Sequence, residues 1–226
     1  APGPVVVEIK GIRDSVVYDG SKHEVNGYTV VSISNRAYTR ADFSLAEGKS
    51  AHAEGTNVGE YYMNLEPESF VNNNTQNFTS VQFVIVEDGL LEITPITDEV
   101  TVTITENADT VIYDTKEHSV TGYKSMTADN ALYDVKKNVA ETSTEAWTAK
   151  GKYVGTYHVG IKAADFENKS GNFTNVEFVI VDGDLVITPA SVAIVKIAGN
   201  TKTVTYNGKE QTVEGYTITS NPANAT

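Results

Sequence analysis

Apolar and polar residues alternate strictly over Val100-Thr-Val-Thr-Ile-Thr105, placing Val100, Val102 and Ile104 on one face and the threonines on the other. A period of two predicts a half-buried strand. Val5, Val7 and Ile9 repeat the pattern near the start of the chain, and Ala193, Val195 and Ile197 repeat it near the end. A second short strand is predicted from Thr110 to Tyr113, followed by a turn and a return through His118–Tyr123. The matching turns at Asp19-Gly20 and Asn207-Gly208 carry a glycine, which accepts positive φ without steric cost. Asp114-Thr115 does not, which predicts a different or looser turn there. Alternation resumes over Gly155–Ile161, with Tyr157, Val159 and Ile161 on one face. Lys162–Phe166 and Glu66–Phe70 are each long enough for one helical turn.

The last element is a predicted hairpin over Asn172–Pro189, copied from Asn77–Pro95. Val176, Phe178 and Ile180 share one face, as do Val81, Phe83 and Ile85. The other face is apolar too (Val179 and Val181, or Val84 and Val86), which predicts a mid-sheet strand covered on both sides. The return strand runs through Leu185 and Ile187 and stops at Pro189, which has no amide donor. About seven strands per copy make the class all-β, satisfied by a small Ig-like β-sandwich or a β-grasp-like sheet.

Self-similarity sets the domain organisation. Tyr18 corresponds to Tyr113 and Tyr206, at offsets of 113 − 18 = 95 and 206 − 113 = 93 residues. Gly27-Tyr28, Gly122-Tyr123 and Gly215-Tyr216 keep both offsets, and Val58-Gly59 recurs as Val154-Gly155. The expected layout is a linker over 1–4, a first module over 5–96, a second over 97–191, and the opening strands of a third over 192–226. A period this long exceeds the ~20–50 residues of a solenoid unit and fits self-standing domains in an elongated tandem array. A third of a module cannot bury a core alone. Segment 192–226 is therefore expected to pack on the module before it or to pair with another chain by strand addition. Residues 29–50 and 124–143 align poorly between copies and mark a variable, loop-containing side.

Tyr-Asp-Gly near the start of a copy, Val-Gly-Thr-Tyr in the middle, Asn-Phe-Thr, and the closing Asp-Gly-Asp-Leu-Val-Ile-Thr-Pro together resemble the YDG/MBG-type repeat modules of large bacterial cell-surface proteins and adhesins. The resemblance covers both complete copies and the third partial one. It implies a β-rich module in tandem on a secreted or cell-surface protein, with a spacer or adhesive role and neighbouring modules as partners. It supplies no catalytic residue. The chain departs from the pattern at Asp114-Thr115, and no sorting or anchoring motif is visible.

Composition narrows the function. Of 226 residues, 17 are basic and 30 acidic, a formal charge of −13. That balance opposes nucleic-acid binding and attachment to anionic membrane, since phosphate contact needs clustered Lys and Arg. No apolar run approaches the ~18 residues of a spanning helix, so no membrane insertion is expected. Cysteine is absent, which excludes disulfides, thiolate metal sites and Cys nucleophiles together.

No cofactor, metal or catalytic residue is expected. His23 and His118 occupy one place in two copies, but Gln211 stands there in the third, a poor replacement for an imidazole ligand. His52 aligns with Thr148 and His158 with Tyr62. The acidic turns Glu87-Asp88-Gly89 and Asp182-Gly183-Asp184 lack the alternating carboxylates of a calcium loop. No Gly-x-Ser-x-Gly elbow occurs, and acidic pairs do not recur as a tandem enzyme would require, so no enzymatic activity is expected. Lys10 aligns with Thr105 and Glu177 with Gln82, which leaves no crosslinking triad common to both copies. Ligand contact, if any, would use aromatic platforms beside the variable segments: Trp147, Tyr133, Tyr153 and Tyr38 are the candidates, with glycan or host protein as the ligand. The Asn-Phe-Thr sequons are read as turn-to-strand entries.

Overall fold

The computed structural model describes residues 4–190 and 194–220. Residues 1–3 of the expected linker, residues 191–193 and the segment 221–226 lie outside the described residues. The protein is all-β, with one four-residue helix and three single 3-10 turns among the described residues. Two of those turns, Pro67–Ser69 and Ala163–Asp165, fall where one helical turn was predicted.

The first copy runs through β1 (Val5–Gly11), β2 (Arg13–Val17), β3 (His23–Asn26), β4 (Tyr28–Ile33), β5 (Phe43–Leu45), β6 (His52–Gly55), β7 (Gly59–Tyr62), β8 (Phe70–Asn72), β9 (Val81–Glu87) and β10 (Leu90–Thr94). The second repeats that order with β11 (Val100–Glu106), β12 (Asp109–Ile112), β13 (His118–Thr121), β14 (Tyr123–Ala128), α1 (Val135–Asn138), β15 (Val139–Glu141), β16 (Thr148–Gly151), β17 (Gly155–His158), β18 (Phe166–Asn168), β19 (Val176–Val181) and β20 (Asp184–Thr188). Each copy has ten strands, three more than the seven expected, and the supposedly variable segments supply two of them, β4 and β5 in the first and β14 and β15 in the second.

The sheet orders match copy for copy. β4-β1-β9 corresponds to β14-β11-β19, and β2-β10-β7 to β12-β20-β17. The pairs β3-β6 and β5-β8 correspond to β13-β16 and β15-β18. β1 is antiparallel to β4 and parallel to β9, while β10 is parallel to β2 and antiparallel to β7. Two expectations fail here. The closing strands are not a paired hairpin, because β9 joins the sheet of β1 and β10 joins the sheet of β2 and β7. Nor does β9 lie mid-sheet: it ends its ladder, and Val86, Val179 and Val181 are exposed. Asp88-Gly89 and Asp182-Gly183 carry the chain from one sheet to another, so apolarity on both faces was a false guide.

The alternating strands form the core as read. Val7, Ile9, Val100, Val102 and Ile104 are fully buried. The chain divides into two compact units. The first holds the chain up to Val100 together with Asn130–Asn138 and Lys169–Val176, and the second holds the remainder. Within the first unit Phe173 is buried, edge-on to the rings of Tyr18 and Tyr133, with centroids 5.7 and 5.0 Å away. Beside it the Val58 N–H donates to Asn172 Oδ1 at 2.9 Å, and the Ile96 N–H donates to the Asn172 carbonyl at 3.0 Å.

After the second copy, β21 (Lys196–Gly199) and β22 (Tyr216–Ser220) pair with each other alone. Every residue from 194 to 219 is exposed. The expected packing of this segment on the preceding module is therefore absent among the described residues.

Candidate functional site

Tyr38 and Tyr133, expected as ligand contacts, are buried at 2% and 4% exposure and offer no ring face to a ligand. Their surroundings are the same in both copies. The Tyr38 N–H donates to the Asn35 carbonyl at 3.1 Å, and Asn35 Oδ1 accepts the Ala37 N–H at 2.9 Å. Tyr133 and Asn130 repeat both bonds, with Leu132 as the second donor. Tyr38 packs edge-on to Phe78 at 5.0 Å as Tyr133 packs on Phe173. The segments that seemed variable are therefore anchored by one recurring Asn-x-x-Tyr turn, at an offset of 133 − 38 = 95 residues. That signal was present in the sequence, hidden by the differing residues around it.

Trp147 is half-buried and also does packing work. Its ring stacks on Phe166 at 5.6 Å, Tyr123 lies 6.3 Å away, and its Nε1–H donates to Asp165 Oδ2 at 3.0 Å. In the first copy, where Ala51 replaces the Trp, the Arg40 guanidinium covers the rings of Tyr28 and Phe43 at 4.6 and 4.7 Å and bonds the Tyr28 hydroxyl. Cation and indole thus each pack on the corresponding tyrosine, Tyr28 in one copy and Tyr123 in the other. Of the four candidates only Tyr153 is well exposed, at 66%, and the other three do not join it in a platform.

His23 and His118 lock turns. Asp19 Oδ1 accepts the Ser21 N–H at 2.8 Å and lies 2.9 Å from His23 Nε2. Asp114 Oδ1 does the same with the Lys116 N–H and His118, both at 2.9 Å. In the third copy Asn207 Oδ1 accepts from the Lys209 N–H and from Gln211 Nε2, at 3.0 and 2.9 Å. Gln replaces His because the position needs one N–H donor, and Asn replaces Asp because it needs one acceptor. Both aspartates are held below the ordinary carboxylate range, Asp19 first by the Ser21 N–H and Asp114 first by His118.

Sequence spacing missed one cluster. Glu24 on β3 faces Glu54 on β6, and Asn26 faces His52, so four polar side chains leave one face of a two-stranded ladder. One ligand atom from each of Glu24, His52 and Glu54 lies within 4.8 Å of the others. His52 reaches Asn26 Oδ1 at 2.7 Å through Nδ1 and Glu54 Oε2 at 2.9 Å through Nε2. These residues could offer a nitrogen and two carboxylate oxygens to a divalent ion. The positive charge present there is Lys22, whose ammonium sits 2.7 Å from Glu54 and lowers its pKa. The second copy has Ser119, Thr148 and Lys150 at the corresponding register positions. Elsewhere, a shallow depression lined by Arg13, Asp14, Ser15, Leu90 and Glu92 lies open on paired strands.

No described helix is long and apolar enough to cross a membrane. No family model, curated protein or solved structure matches the chain.

Proposed function

We propose that this chain is a run of structural spacer modules from a secreted or cell-surface bacterial protein, an adhesin stalk without a catalytic or cofactor site of its own. The observation that carries this reading is the buried joint at Phe173. It ties the end loops of the second copy into the compact unit of the first, through Tyr18, Asn172 and Ile96. A serial scaffold needs neighbouring copies to share packing, and a buried aromatic braced by backbone hydrogen bonds supplies it within the first unit. The recurring strand order and the resemblance to YDG/MBG-type repeats agree with it. The first strand of each copy is the centre of its sheet, and β1 takes the last-but-one strand in parallel. The parallel pairing supports a β-grasp-like module over an Ig-like sandwich of antiparallel strands.

The spacer reading is favoured over a glycan- or host-protein-binding module, because Tyr38, Tyr133 and Trp147 are committed to packing. A glycan array probed with the wild-type protein and with Trp147→Ala tests the choice. The spacer reading expects no ligand on either; a glycan held by the wild type and lost on substitution would establish the binding module instead.

A further inference from the structure

We infer that Asn207-Gly208 is a self-modifying site, at which the Asn207 side-chain amide leaves as ammonia through a cyclic imide. Asn-Gly occurs twice in the sequence, at Asn26-Gly27 and at Asn207-Gly208. The reaction needs the glycine nitrogen to lose its proton and attack the asparagine Cγ. Glycine favours it, because no Cβ crowds the approach. The two sites are set up in opposite ways. At the first, the nucleophile is engaged. The Gly27 N–H donates to the Ala51 carbonyl at 2.8 Å, and Asn26 lies on β3 with its Oδ1 2.7 Å from His52 Nδ1. Attack there would break the bond to Ala51 and pull the side chain away from His52.

At the second, the Gly208 N–H donates to no acceptor among the described residues. Gly208 has φ 77°, and a Cβ built on it would meet nothing within 4 Å. The electrophile is also prepared. Asn207 Oδ1 accepts the Lys209 N–H at 3.0 Å and a Gln211 Nε2–H at 2.9 Å. As the nitrogen adds to Cγ, negative charge develops on that oxygen, and hydrogen bonds to a charged acceptor are stronger than those to a neutral amide. The two donors therefore stabilise the tetrahedral intermediate more than the ground state, as the donors of an oxyanion hole do. The openness belongs to the turn itself. Its counterparts Asp19, Gly20 and Ser21 in the first copy, and Asp114 and Lys116 in the second, are exposed within complete copies. The new bond joins Gly208 N to Asn207 Cγ, the Cγ–Nδ2 bond breaks, and ammonia carries off the proton that the glycine nitrogen gave up. Water then opens the imide. Opening at Cγ gives aspartate, and opening at the main-chain carbonyl gives isoaspartate, with one methylene added to the backbone. Aspartate keeps the acceptor that holds the turn and gives the third copy the residue found at Asp19 and Asp114.

The inference does not rest on the spacer reading and is tested with the intact chain. The protein is aged in mildly alkaline buffer and digested, and the peptides holding Asn26 and Asn207 are followed by mass spectrometry. The Asn207 peptide should gain about 1 Da, as aspartate and isoaspartate. It should do so about tenfold faster than the Asn26 peptide, whose glycine must first give up a hydrogen bond. In denaturant the two should react at similar rates. Gln211→Ala should slow the reaction at Asn207 about fivefold, the worth of one exposed hydrogen bond. Gln211→His, which restores the N–H donor that His23 and His118 supply in the other copies, should recover the rate. Equal rates at Asn26 and Asn207 in the folded chain, or no reaction at Asn207, would overturn the proposal. So would a rate in Gln211→Ala that is unchanged or higher, or a slowed rate that Gln211→His does not recover.

Discussion

At the scale of single residues, the two copies solve one conformational problem with different chemistry. Gly20 and Gly208 have φ near 80°, and Thr115 holds the same left-handed conformation at φ 72°. The turn at Asp114-Thr115 is thus the turn of the other copies, not a looser one. A β-branched residue is strained there, because its Cβ crowds the following carbonyl. The Asp114 bonds to the Lys116 N–H and His118 hold it in place. Thr115→Gly should stabilise the second copy by about 1 kcal/mol, the strain removed less the greater chain entropy of glycine. Urea denaturation followed by Trp147 fluorescence would register it as a higher midpoint at unchanged slope. Tyr123 offers a pH probe. Its phenol donates to Glu141 Oε1 at 2.7 Å, and that bond, with burial second, pushes its pKa up to about 12. The folded value exceeds the unfolded one of about 10. The stabilisation is therefore complete below about pH 10 and is lost as pH rises through the folded value. A tyrosinate absorbance titration should lose amplitude at its alkaline end in Tyr123→Phe, and in Glu141→Gln that amplitude should move to lower pH.

At the scale of elements, the strands were legible in sequence and their partners were not. Alternation located β1, β11 and the apolar face of β9, because burial on one side writes itself into the chain at period two. It could not say that β9 and β10 enter different sheets. A short Asp-Gly turn suits a hairpin as well as a corner, and the deciding feature lies elsewhere. In the first copy Asp88 turns inward to accept the Asn64, Leu65 and Gly89 N–H groups at 2.8 to 3.0 Å, against the bare backbone of Gly11. In the second, the residue corresponding to Gly11 is Glu106, 2% exposed, which accepts the Ile161 and Gly183 N–H groups, both at 2.7 Å. One carboxylate serves the corner from the turn, the other from the strand. Glu106→Ala would strand two buried donors and should cost the second unit about 3 kcal/mol. Thermal unfolding of the variant checks this, and a loss below about 1 kcal/mol would mean that water or another acceptor replaces the carboxylate. The candidate site was legible only by composition. Aromatic residues beside poorly aligning segments suggested a platform, but burial of Tyr38 and Tyr133 depends on Phe78 and Phe173, forty residues away in the chain. The Glu24–His52–Glu54 cluster was invisible for the same reason, being assembled across a ladder.

At the scale of the whole molecule, Phe173 belongs to one copy by sequence and to the other by packing. Sequence periodicity assigns it to the second copy, as the counterpart of Phe78. In the fold it belongs to the first unit, held by Tyr18 and Tyr133 next to the bridge between Ile96 and its own backbone. If the chain is a serial scaffold, the stability of one copy must depend on a side chain contributed by the next. Burying a phenylalanine and then removing it costs about 3–5 kcal/mol where the cavity cannot collapse. The most direct measurement is native-state hydrogen exchange of the Val7 and Ile9 amides in Phe173→Ala. The joint predicts that these amides, in the central strand of the first copy, lose protection corresponding to about 3 kcal/mol. Unchanged exchange at Val7 and Ile9, with all the loss confined to β11 and β19, would contradict it.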